Sequence, residues 1–195
     1  GHLYYEERAP RLSSGAAPAD SLITGDLYPL ADSFKLHSRP GAPRLLILNF
    51  QGKTVTGTAW NTSLKNPSIV ATPYDVDSNP ASYSDAELTT IQTIWQRVSE
   101  DYAPYDVDVT TDVSAAATAQ ASTYATAVIT KQRIFSSSAP GLAYVSTFGN
   151  PAYEPAFVAF DTLYNNPKYI AETVSHELGH RLGLDHDGTR TQAYY

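Results

Sequence analysis

His176 and His180 stand four residues apart and His186 follows six later, a spacing that on a helix gathers the first two on one face. Residues four apart share a face, one turn above the other, only where the chain is helical. The flanking sequence supplies that helix. Asn166 suits the N-cap and Pro167 the first helical position, while Ile170, Val174, Leu178 and Leu182 recur at the period of a core-facing stripe. Gly183 is a natural stop, because glycine accepts a positive φ that costs other residues about 1 kcal/mol or more. Past that bend, Leu184 is expected to enter the core and His186 to swing back toward the pair. Gly179 leaves the helix face bare, which eases close packing near the turn. Three of the five histidines in the chain fall within these eleven positions.

Two imidazole nitrogens converging from one helical face can share one Zn²⁺ at about 2.0–2.1 Å each. Glu177 follows the first histidine, near enough to meet a water at the metal but turned away from ligating it. That is the place of a general base. A catalytic zinc takes three protein ligands and keeps a fourth position open, and His186 is the third candidate. Cysteine is absent, which removes disulfides, thiolate metal sites and Cys nucleophiles. No serine sits in a nucleophile elbow. A formal net charge of −7 repels phosphate backbones, so nucleic acid is not an expected partner. Nor is a membrane, since no apolar run approaches the roughly 20 residues of a span; Leu45–Leu48 is the densest aliphatic patch.

Elsewhere the patterns alternate between strand and helix. Arg44–Gln51 has the aliphatic density of a buried strand, and Gly52–Trp60 alternates as a hairpin partner to it. Ser84 with Glu87 forms a capping box, followed at helical spacing by Leu88, Ile91, Ile94, Trp95, Val98 and Tyr102 until Pro104 ends the helix. Tyr105–Thr111, Tyr124–Thr130, Gly141–Phe148 and Pro155–Asp161 read as further strands. This order predicts an α+β fold, an α/β sandwich. Two domains are expected: residues 1–43 as an N-terminal extension or pro-region remnant, and residues 44–195 as the main domain. Within the first, Arg8–Asp20 reads as an extended arm, and Leu27, Leu30, Phe34 and Leu36 as a small packed segment. Asp75-Val76-Asp77-Ser78-Asn79 opens like a calcium loop, although Pro80 stands where such a loop needs glycine; an Asx-rich turn is the alternative.

The run HELGHRLGLDHD resembles the H-E-x-x-H-x-x-G-x-x-H signature of the metzincin metallopeptidases at every fixed position. Asp187, after the third histidine, is similar to the reprolysin (adamalysin-like) branch, and Gly141–Phe148 (GLAYVSTF) resembles the strand before its active-site helix. The resemblance implies a twisted mixed sheet with a long helix and an active-site helix. It further implies a secreted zinc-dependent endopeptidase acting on proteins or peptides, with His176, His180 and His186 on zinc and Glu177 as the base. The family's edge strand, here Gly141, Leu142, Ala143, Tyr144 and Val145, would bind substrate as an added antiparallel strand. Metzincins also carry a methionine turn beneath the metal, and this chain has no methionine. The expectation is therefore a catalytic domain incomplete at its C-terminus, completed by a continuation or by a separate chain; the alternative is a divergent protein that never had the turn. Two other readings stand beside an active peptidase. One is a catalytically inactive, zinc-stabilised binding or inhibitory module; the other is a latent zymogen silenced through an acid such as Asp20 or Asp26.

Overall fold

The computed structural model describes residues 4–6, 28–131, 134, 139–186, 188–189 and 192–193. The strands are β1 (Tyr4–Glu6), β2 (Leu45–Asn49), β3 (Lys53–Val55), β4 (Ile69–Ala71), β5 (Asp108–Thr110), β6 (Tyr124–Thr130), β7 (Gly141–Tyr144) and β8 (Ala156–Ala159), with a short pair, β9 (Gly188–Thr189) and β10 (Gln192–Ala193), after them. Between them lie the helices α1 (Ala59–Ser63), α2 (Asp85–Asp101), α3 (Ala115–Thr118) and α4 (Pro167–Arg181). The main sheet has the order β1-β7-β8-β6-β2-β5. The β2, β5, β6 and β8 pairings are parallel, whereas β7 runs antiparallel to β8 and β1 antiparallel to β7. This is an α+β fold on a mixed sheet, as the sequence predicts.

The core forms on both faces of that sheet. Leu46, Leu48, Ala125, Ala127, Ile129 and Val158 pack against Ile91, Ile94, Trp95 and Val98 of α2 and Ile170, Val174 and Leu178 of α4. On the opposite face Val128, Leu142, Tyr144, Phe157 and Ala159 pack with Trp60 of α1 and with Val55, Ile69 and Ala71 of the β3–β4 pair. The two long helices begin and end where their caps place them. Ser84 and Glu87 exchange side-chain and backbone hydrogen bonds at the start of α2, and Asn166 Oδ1 accepts from Lys168 N at the start of α4. No helix of the described residues is long and apolar enough to cross a membrane.

Several elements differ from expectation. Gly52–Trp60 does not return on β2, because both edges of β2 are taken by the parallel strands β5 and β6. Lys53–Val55 instead pairs with Ile69–Ala71 in a separate sheet, and Trp60 belongs to α1. At Gly52 (φ +79°) the chain passes so close to Ala71 O that a Cβ would stand 2.6 Å from it, which fixes the turn away. β6 spans Tyr124–Thr130 as expected, whereas the other expected strands of the main sheet are shorter, because their β-period patterns continue into turns and loops: β5 spans three residues and β7 ends at Tyr144. Leu36 lies in the main core, Phe34 packs against it, and Tyr28 meets Trp95 edge to face at 5.6 Å. Arg8–Asp20, with Leu27 and Asp26, lies outside the described residues.

Candidate functional site

Helix α4 is held from three directions. Its middle is tied to α2, where the Tyr102 hydroxyl donates to Ser175 O (2.9 Å) and Ser175 Oγ to Asp101 Oδ2 (2.6 Å). Its carboxyl end receives the loop after β7: Ser146 N donates to His180 O, and Thr147 N and Phe148 N to Arg181 O, over 2.8–3.1 Å. Carbonyls that a helix end leaves unpaired are thereby satisfied by a neighbouring loop. The third hold is a buried ion pair. Arg181 donates to the Glu154 carboxylate and to Tyr153 O, and Glu154 Oε2 accepts from Thr126 N of β6 at 3.0 Å. Burial pushes the Glu154 carboxyl up and the Arg181 guanidinium down, and each opposite charge works against that push. Removing either partner would strand a buried charge, at about 3–5 kcal/mol.

Beyond Arg181 the helix closes in a Schellman turn, with Gly183 N donating to His180 O (2.9 Å) and Leu184 N to Gly179 O (3.0 Å). Gly183 has φ +101°, as its role requires. Leu184 does not enter the core: it is 64% exposed, and its side chain lies across Gly179, where a Cβ would meet Leu184 Cδ1 at 3.3 Å. Leu182 is likewise exposed, because the tight turn carries it off the core-facing stripe.

This bend brings the third histidine to the first two. His186 Nε2 stands 2.9 Å from His176 Nε2 and 3.1 Å from His180 Nε2. His180 Nδ1 donates to Leu184 O at 2.7 Å, which leaves the Nε2 lone pair for the cluster. Tetrahedral nitrogens at about 2.0–2.1 Å from one ion stand about 3.3 Å apart, so three converging Nε2 atoms suit a shared cation as donors. The three rings differ in burial: His180 is buried, His176 half-buried and His186 exposed.

Glu177, next in sequence to His176, lies on the buried side of α4 with 0% exposure. Gly141 opens β7 directly against it. A Cβ at Gly141 would stand 2.2 Å from Glu177 Oε1 and 2.7 Å from its Cγ and Cδ, so the bare glycine makes room for the carboxylate. Leu142 and Tyr144 point to the opposite face, into the cluster around Trp60; the Tyr144 ring lies tilted against that indole at 4.3 Å, and its hydroxyl meets Ser63 Oγ at 2.7 Å. Val145 falls one residue past β7, where the chain turns into the left-handed Ser146 (φ 57°) to reach the end of α4.

The calcium expectation gains no such support. Asp75, Asp77 and Glu87 bring oxygens within 4.8 Å of one another, but those oxygens serve the turn and the cap. Asp75 accepts from Asn79 N and Lys131 Nζ, Asp77 from Asn79 N, and Glu87 from Val76 N and Ser84.

A family model described as metallo-peptidase family M12B reprolysin-like matches residues 86–187, just over half of the chain. The chain belongs to this family. The reprolysin-like match begins in α2 and runs through β5, β6, β7, β8 and α4 to the bend that carries His186, so it contains every element around the histidine cluster. Membership of M12B implies a zinc metallopeptidase whose substrates are peptides or proteins. Glu154 and Arg181 went unread in the sequence of this reprolysin-like chain. A signal for them existed: Arg181 continues the stripe of Val174 and Leu178, and a charge there requires a buried acid.

Proposed function

We propose that the chain is a zinc-dependent endopeptidase in which His176, His180 and His186 hold the metal and Glu177 is the general base. The observation that carries this reading is the convergence of three Nε2 atoms at a helix whose buried Glu177 carboxylate is seated against Gly141 at the start of β7. Bound there, zinc would supply a Lewis acid that makes water nucleophilic near neutral pH and polarises a carbonyl. The chain's own residues do the rest. Main-chain groups of β7, over Gly141, Leu142, Ala143 and Tyr144, would align an extended peptide as an antiparallel strand, with Val145 at the margin. Glu177 takes a proton from the attacking water and returns it to the departing amine. The Leu184 carbonyl keeps His180 in the tautomer whose Nε2 faces the cluster.

Glu177→Gln tests the assignment, because it keeps shape and removes basicity. The variant should bind one equivalent of zinc and lose about 10²–10⁴ in kcat, the usual contribution of acid–base catalysis. Unchanged turnover in zinc-loaded Glu177→Gln overturns the assignment. Casein digestion by the unaltered chain, with and without a chelator, separates a peptidase from an inactive zinc-stabilised module.

A further inference from the structure

The edge of β7 beside Glu177 already carries a partner. β1 lies antiparallel along it, with Tyr4 opposite Tyr144, Tyr5 opposite Ala143 and Glu6 opposite Leu142. β1 is the outermost strand of the main sheet and pairs with β7 alone among the described residues. Its direction carries information. From Tyr4 to Glu6 it advances from the far end of β7 toward Gly141, and Gly141 abuts the Glu177 carboxylate. A segment laid this way delivers its carboxyl side toward the Glu177 carboxylate. Strand addition is driven by main-chain hydrogen bonds, so one sheet edge accepts one extended segment at a time whatever its side chains.

We propose that the amino-terminal strand of this chain is an intramolecular competitor for the peptide-binding edge of β7, seated with one fixed polarity toward Glu177. The proposal rests on the peptidase reading only in naming substrate as what β1 displaces; the pairing of β1 with β7 does not depend on it. Three residues make a weak strand alone. Covalent attachment offsets that weakness, since a tethered segment acts at an effective concentration on the order of 1 mM, enough to weaken the hold of a free peptide about tenfold.

The test compares the whole chain with a form lacking residues 1–6. Binding is read in the Glu177→Gln background with a fluorescent peptide of the chain's first eight residues, Gly-His-Leu-Tyr-Tyr-Glu-Glu-Arg. Turnover is read with Glu177 in place on a fluorogenic peptide. The trimmed form should bind the labelled peptide about tenfold more tightly than the whole chain, and its KM should fall by a similar factor with kcat little changed. Equal binding by both forms, or by neither, overturns the proposal, as does an equal KM. Should only the trimmed form bind the peptide while neither form cleaves, β1 is confirmed as the occupant and the peptidase reading falls. Tyr5→Pro in the whole chain is a second route, because it removes a strand N–H without shortening the protein, and it should reproduce the trimmed behaviour.

Discussion

Gly141 and Glu177 illustrate how much of this site is decided by single atoms. The carboxylate occupies space that any larger residue on β7 would claim. Gly141→Ala should therefore displace the base while sparing the histidines, lowering kcat/KM by on the order of 10² with zinc stoichiometry unchanged. Paired kinetics and elemental analysis check this; unchanged kinetics would show that Glu177 works from elsewhere. At this scale the sequence was informative where chemistry and spacing coincide. The histidines, Gly183 and Asn166 stand where their types and intervals require. Leu184 departs from its expected place, because hydrophobicity alone does not say that a Schellman turn leaves the next residue lying over Gly179 at the surface. The glycine–glutamate contact was illegible, because it joins elements thirty-six positions apart.

Among elements, the helices were the most legible because their caps and periods are local. α2 starts at the Ser84–Glu87 box and runs seventeen residues, close to its expected span. The strands were less so, since strand length depends on which neighbour is available; β2 has parallel partners on both sides, and no hairpin remains for Gly52–Trp60. The α2 cap also sets a pH dependence. Burial works to raise the Glu87 carboxyl, but hydrogen bonds from Val76 N, Ser84 N and Ser84 Oγ outweigh it and hold the group below its ordinary range. A carboxyl with its pKa lowered in the folded state gives stability that is present above the unfolded pKa, and that stability is lost as pH falls through the folded one. Urea midpoints of the unaltered chain should thus drop on acidification below about pH 4, near the ordinary Glu value, and the Glu87→Gln variant should show a shallower drop. An identical acid limb in the variant would remove Glu87 from the account.

For the molecule as a whole, the mixed sheet, the long helix and the histidine-bearing helix follow the predicted class, while the order of strands and the seat of β1 were not readable from sequence. Strand order is a matter of long-range pairing, and β1 is three residues long. Because the three imidazoles come together only in the folded chain, zinc should stabilise it by mass action. A thousandfold excess over Kd gives about 4 kcal/mol. That corresponds to a rise in Tm of roughly 10 °C for a domain of this size. Calorimetry with and without zinc measures it, and an unmoved Tm would mean that the histidines do not hold the ion.

The unequal setting of those imidazoles has one more consequence. Two are fixed to a helix clamped by α2, by the loop after β7 and by Arg181, whereas the third sits exposed beyond a glycine bend. Were zinc bound as proposed, an ion leaving such a cradle would need only to shed His186 by a local turn at Gly183, with the sandwich staying shut. Exchange would then be faster than the opening of the interior, and the emptied protein would reload without refolding.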